Sequence, residues 1–303
     1  MAVEIGTADN YLDLLDKLRI FLTTNEELVN TGQQWEILRW NNGHELILKA
    51  PGLSGAEKIY MGIWAYENTT NDYYNFNICG LVGYIPEHSF ADQPYKQSAF
   101  VCLWQHKIPY WFIANGQRVI VAAKISTVYE YFYLGKILPY GTPQQYPYPL
   151  FVGGTTNADG ERWSGTGARH SGFQCPGYGS YLYTIDSVWR RVCNREPYSS
   201  SHRWRGENTI FLYPTDTWSF GGGNCKLSNI QQNTDSTYTL LPYILHTSDQ
   251  PAKNVYGELD GAYWITGNKS ASENIITING QDYLVIQNIH RTTWADYLAL
   301  ELK

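Results

Sequence analysis

From Gln34 onward the chain alternates between apolar and polar positions, in short runs separated by polar or Gly-bearing breaks, the period-2 pattern of strands with one buried face. Gln34–Trp40 and Glu45–Lys49 flank Asn41-Asn42-Gly43, and Lys58–Tyr66 and Tyr73–Leu81 flank the polar stretch Glu67–Asp72. Ser98–Trp104 leads into Tyr110–Ile113 and Arg118–Ile125, which surround Asn115-Gly116. Asn-Gly supplies the two positive-φ residues of a type I′ turn, so 110–125 is expected to be a hairpin around which the rest is organised. Val128–Leu134 stays β-branched and aromatic. Pro139, Pro143, Pro147 and Pro149 then remove ladder donors, and the sheet is expected to end there in an extended exit.

One early segment has a different period. Tyr11, Leu14, Leu15, Leu18, Phe21 and Leu22 fall on one helical stripe within Asp9–Leu22, with Thr7 or Asp9 as cap and Asp13 and Asp16 near the positive end. A lone helix of this length draws its stability from packing that stripe, on a sheet of its own chain or on a neighbouring subunit. At the other end, Tyr238–His246, Val255–Thr266, the Asn279-Gly280 hairpin of Ile275–Ile278 and Gln281–Ile289, and Ala295–Leu300 read as strands.

Between Val152 and about Ser236 periodicity weakens, and only Tyr181–Ile185, Val188–Val192 and Thr209–Leu212 look ordered. The predicted organisation is mainly β: a β-sandwich-like N-terminal body with one amphipathic helix (1–151), a loop-rich middle segment or insertion (152–236) and a C-terminal antiparallel β lobe (237–303). The middle segment mixes Arg and Trp, both frequent at binding hot spots. Because it cannot bury much by itself, it is the expected contact surface, with Trp163, Trp189 and Trp204 as anchors and Arg190, Arg191, Arg203 and Arg205 as partners to carboxylates across an interface. The alternative is that these Trp residues form a private core within the loops.

Composition narrows the function classes. Charged residues are only 17% against an unusually high load of 25 Tyr and 11 Trp, so aromatics are packed between sheets or presented to partners. A formal charge of -6 and a pI near 5.6 lack the clustered basic face that nucleic-acid binding needs. No run approaches a membrane span, and the N-terminus lacks a signal pattern, so synthesis in a cytoplasm is expected.

The candidate chemistry is sparse. Five cysteines (79, 102, 175, 193, 225) show no C-x-x-C pair; Cys79 and Cys102 sit in apolar strands and are expected to be buried thiols, and a disulfide among Cys175, Cys193 and Cys225 stays open. The seven histidines are scattered without metal-ligand spacing, and Gly221–Gly223 is followed by no Lys-Ser or Lys-Thr, so no metal, nucleotide or other cofactor is expected. Several carboxylates could be paired by folding; Glu258 and Asp260, two apart on a presumed strand, are the pair considered for a glycoside hydrolase, although Glu258-Leu259-Asp260-Gly261 reads equally as a turn. No catalytic residue is therefore assigned, and the chain is not expected to be an enzyme.

Two long segments, PYWFIANGQRVIVAAKISTVYEYFYLGKILPYGTPQQYPYPLFVGG (109–154) and NVYGELDGAYWITGNKSASENIITINGQDYLVIQNIHRTTWADYLALELK (254–303), resemble virion structural proteins of tailed bacteriophages. The features shared are the Trp-Phe-x-Ala-Asn-Gly hairpin, the Val-Tyr-x-x-x-Tyr-Leu-Gly strand, the Tyr-Pro-Tyr-Pro exit and Gly-Glu-Leu-Asp-Gly; the helix ending Phe21-Leu22-Thr23-Thr24 is also similar. The resemblance spans most of the chain in order, but not Ala158–Thr234. It implies a tail-associated part of the particle, in the baseplate, tail tip or neck, assembling with copies of itself and neighbouring tail proteins and carrying no catalytic residues. A carbohydrate-binding module that contacts a host-surface glycan is the competing expectation, since exposed Trp and Tyr stack on sugar faces.

Overall fold

The structure is a computed structural model that describes residues 1–167, 170–173, 179–193, 210–214, 237–247 and 254–302. The N-terminal part runs β1 (Ala2–Ala8), α1 (Tyr11–Thr24), α2 (Glu26–Asn30), β2 (Glu36–Asn41), β3 (Glu45–Ala50), β4 (Ile59–Asn68), β5 (Tyr73–Leu81) and β6 (Gln97–Leu103). It continues with β7 (Ile108–Ala114), β8 (Arg118–Ile125), β9 (Val128–Lys136), β10 (Leu138–Pro139) and β11 (Leu150–Gly153). Then come β12 (Ser180–Tyr183), β13 (Trp189–Cys193), β14 (Ile210–Tyr213), β15 (Leu241–Thr247), β16 (Val255–Ile265), β17 (Ile275–Ile278), β18 (Gln281–Gln287) and β19 (Tyr297–Glu301). The protein is mainly β, as its alternation predicts.

β2 to β6 form an antiparallel five-stranded sheet in chain order. The other strands form one large sheet, ordered β1-β7-β8-β9-β11-β12-β13-β14-β15-β16-β19-β18-β17, in which only β13 and β14 run parallel. β10, the short continuation of β9, pairs with β16 through Leu138↔Glu258 and Pro139↔Gly257. The ladder that leaves β9 through β11 thus returns to β9's own extension through β16. Strands of the middle stretch, β12 to β14, link the first part of the chain to the last.

Helix α1 fixes how the two sheets meet. Its predicted stripe is fully buried within this chain, Phe21 against Phe112 of β7 (ring centroids 5.6 Å) and Tyr11 against Tyr74 of β5 (5.4 Å). Each such side chain contributes roughly 1.5–3 kcal/mol by leaving water. The cap is Asn10, not Thr7 or Asp9: its Oδ1 accepts from Leu12 N at 2.9 Å and Asp13 N at 3.0 Å. Thr7 is held extended in β1 opposite Pro109, so the chain cannot turn into a helix before residue 9.

Two expectations are corrected. Asn42-Gly43 (φ 51° and 73°) and Asn279-Gly280 (φ 53° and 80°) make left-handed hairpin turns, but neither Asn115 nor Gly116 has a left-handed φ. Instead Asn115 Oδ1 accepts from Gln117 N (2.9 Å) and Arg118 N (3.1 Å), closing a three-residue loop by side-chain hydrogen bonds. Gly116 serves a close approach to the loop after β3: its carbonyl accepts from Gly52 N (2.6 Å), and a Cβ on it would lie 2.3 Å from Gly52 O. Nor does the sheet end at the prolines. The chain detours through 140–149 and returns as β11 beside β9, with Phe151 opposite Gly135, because a donor missing from the detour costs the flanking ladders nothing. β1 and α2 complete the N-terminal part beyond the strands and helix expected there.

Candidate functional site

The motif-bearing segments converge on one buried knot. Arg118, at the start of β8, is 1% exposed and its Nε donates to Asp260 Oδ2 at 3.1 Å. Asn115 Nδ2 (2.8 Å) and Gln117 Nε2 (3.1 Å) donate to the same oxygen, and Asp260 N donates to the Tyr133 hydroxyl at 3.4 Å. Burial pushes the Asp260 carboxyl up, but the Arg118 guanidinium and the two amides outweigh it and hold the group below the usual carboxylate range. Gly261 has φ 72°, and a Cβ there would lie 2.2 Å from Arg118 Nη2, so only glycine leaves room for the guanidinium. Beside the knot, Tyr146 of the Tyr-Pro-Tyr-Pro exit packs against Tyr256 (5.9 Å). Glu258 points elsewhere, accepting from the exposed Tyr140 hydroxyl at 2.9 Å.

Of the expected contact residues, Arg203, Trp204 and Arg205 lie outside the described residues, as do Cys175 and Cys225 and the side chain of Cys193. Trp163 is half-buried, edge-on to Trp104 at 5.4 Å with the Arg162 guanidinium over its ring. Trp189 is also half-buried: its indole lies over Gly80 of β5, where a Cβ would come within 2.8 Å, and Nε1 donates to Tyr95 O at 2.6 Å. Arg190 bonds Thr184 Oγ1 (3.2 Å) and pairs with Asp186, whereas Arg191 is half-buried on β13 opposite Tyr181. These side chains pack on or bond to their own chain. What the same neighbourhood exposes is the β12–β13 connection, Ile185 (55%) and Val188 (49%), with Tyr95 (71%) alongside.

The outer face of the five-stranded sheet carries a row of aromatics. Tyr66 of β4 contacts Trp64 (5.7 Å), Tyr73 (6.1 Å) and Phe100 (6.2 Å), and Trp64 contacts Phe90 (6.1 Å). One end is covered: the Tyr66 hydroxyl and the Asn75 amide donate to Asp159 O, and Asn75 also to Glu161 O. Trp64 stays 44% exposed. On the same face Asn77, opposite Trp64, and Ser98, diagonal to Asn77 on β6, have side-chain oxygens that are shielded from solvent and lack a hydrogen-bond partner.

A second buried polar cluster lies where the two sheets and the 170–173 segment meet. Cys102 of β6, Glu130 of β9 and His170 are all fully buried, with their donor atoms within 4.8 Å of one another. His170 Nε2 lies 2.5 Å from Glu130 Oε1, and Nδ1 lies 2.9 Å from Gly165 O. Burial lowers the His170 pKa, but the Glu130 carboxylate and the Gly165 carbonyl raise it further, and the net direction is up. Both ring nitrogens are taken, so the imidazole has none left to activate the Cys102 thiol, whose pKa burial pushes well up. Glu130 Oε2 has no hydrogen-bond partner. Arg291 Nη1 anchors the segment by donating to His170 O at 2.7 Å. Chain spacing hides these three residues. The one local signal is a carboxylate inside the apolar run Val128–Leu134, as Arg118 is the one cation opening an apolar strand.

No known family and no curated protein matches the chain in sequence. Among the described residues no helix is long and apolar enough to cross a membrane.

Proposed function

We propose that the chain is an architectural, tail-associated subunit of a tailed-phage particle, in the baseplate, tail tip or neck, that assembles with copies of itself and with other tail proteins. The observation that carries this reading is the convergence of the resembling segments, over a hundred residues apart in the chain, on a framework contact. The Asn-Gly hairpin supplies Asn115, Gln117 and Arg118, the Gly-Glu-Leu-Asp-Gly segment supplies Asp260 and Gly261, and the glycine of Tyr-Leu-Gly, Gly135, allows β9 to cross Gln117 O, 2.3 Å from where a Cβ would sit. Three donors on one oxygen make Asp260 a structural acceptor, and this favours a framework over a glycosidase built on Glu258 and Asp260. The exposed apolar tip at Ile185 and Val188, with Tyr95, is the surface offered to a neighbouring copy. Mass spectrometry of purified particles tests the reading: the chain should co-purify in stoichiometric copy number, and recovery only from the soluble fraction of infected cells would overturn it.

A second reading, a glycan-binding module, is favoured by one observation. Trp64 exposes an aromatic face, 44% open, in the aromatic row on the five-stranded sheet. An exposed aromatic face suits stacking on a sugar ring. A glycan array with wild type and Trp64→Ala separates the two: binding lost in the variant supports the module, and no binding by either leaves the architectural role alone.

A further inference from the structure

Buried carboxylates ordinarily use both oxygens, because an unpaired charged acceptor away from water is costly. Glu130 breaks that pattern: it is 0% exposed, Oε1 faces His170 Nε2, and Oε2 faces no donor. The Cys102 thiol donates to the Glu161 carbonyl at a long 3.7 Å, with the Thr155 hydroxyl beside it. A sulfur, an imidazole nitrogen and a carboxylate oxygen from three separate segments are therefore gathered in a fully buried site with coordinating capacity left over.

We propose that Cys102, Glu130 and His170 form a binding site for one divalent transition-metal ion, zinc by donor type. Thiolate, imidazole and carboxylate are three of the donor types of four-coordinate zinc, with the Glu161 carbonyl beside Cys102 Sγ available as the fourth, whereas magnesium and calcium take oxygen donors. The second shell is in place: the Nδ1 position of His170 is held against Gly165 O, which turns Nε2 inward as a metal-ligating histidine requires. Asn75 Nδ2 donates to Glu161 O at 2.8 Å and pins the carbonyl next to Sγ, a further oxygen donor at hand. Nε2 and Oε1 at 2.5 Å are closer than the roughly 3.3 Å between two donors sharing a tetrahedral ion, so loading swings the carboxylate apart and engages Oε2. Charge and protons balance. The ion replaces the thiol proton of Cys102 and the Nε2 proton of the imidazolium; both leave to solvent, and a neutral cluster of Cys thiolate, Glu carboxylate, neutral His and the dication remains. The site ties β6, β9 and the 170–173 segment together, so its role is structural.

The test uses the full chain purified without chelators, with zinc measured by inductively coupled plasma mass spectrometry, and the same chain produced in cobalt-supplemented medium. Wild type is expected to hold about one equivalent of zinc and to show the near-ultraviolet sulfur-to-cobalt charge-transfer band of a bound thiolate. Both signals should disappear in Cys102→Ser and persist in Cys79→Ser, which alters the second buried strand thiol among the described residues. The wild-type readings decide whether or not a variant folds. No zinc above the buffer blank together with no cobalt band overturns the site. A band that survives in Cys102→Ser belongs to another thiol and overturns it equally.

Discussion

Arg118–Asp260 and His170–Glu130 are both ion pairs in the interior, and they differ in how completely their valences are used. Asp260 Oδ2 receives three side-chain donors, and its neighbourhood includes a glycine with room for nothing else. Glu130 receives one donor on one oxygen and none on the other. A carboxylate oxygen that already carries three side-chain donors can only hold elements together. An unsaturated one either tolerates a deficit or waits for a ligand, and its neighbours say which ligand.

The largest effect should come from breaking the Arg118–Asp260 pair. Asp260→Ala strands a fully buried guanidinium and two amides, and about 3–5 kcal/mol of stability should be lost in denaturant unfolding. A loss below about 1 kcal/mol would mean that water or a rearranged partner takes over the knot. Glu130→Gln in metal-free protein should cost less, about 1–3 kcal/mol, since only one contact depends on the charge. If the two variants lost equal stability, the contrast between the pairs would fail.

Acid sharpens the same contrast. The Asp260 carboxyl titrates below its unfolded pKa of about 3.9, so its contribution is full above that value and is lost as pH falls toward the lower folded one. Unfolding midpoints measured between about pH 5 and pH 2 should therefore drop more steeply in wild type than in Asp260→Asn, which has nothing to protonate there. The smallest effect belongs to the surface: Trp64→Ala should change stability by about 1 kcal/mol or less, since the indole is nearly half exposed.

The comparison also explains what the sequence could announce. The α1 stripe and most strands were legible because burial of one face imposes a period, and the residues found buried on α1 are those the spacing selects. The Asn115-Gly116 turn misled, since the same dipeptide serves a left-handed turn at 42–43 and 279–280 but a side-chain-closed loop and a close backbone contact at 115–116. That choice depends on Gly52, which is remote in the chain. The β1 edge and the return of β11 past the prolines were hidden because pairing partners, not local propensity, decide them. Both ion pairs escaped for a related reason: spacing relates residues on one element, whereas Arg118–Asp260 and Cys102–Glu130–His170 join elements far apart. A lone charge within an apolar run was the available signal at Arg118 and Glu130.

The proposed role as a repeated framework subunit of a phage tail is tested most directly by a cryo-electron microscopy reconstruction of the particle. Density for several symmetry-related copies should appear in the tail, with the Arg118–Asp260 knot internal to each copy and the Ile185–Val188 tip with Tyr95 against a neighbour. A tail map fully accounted for by other chains, with no density that fits this fold, would contradict it.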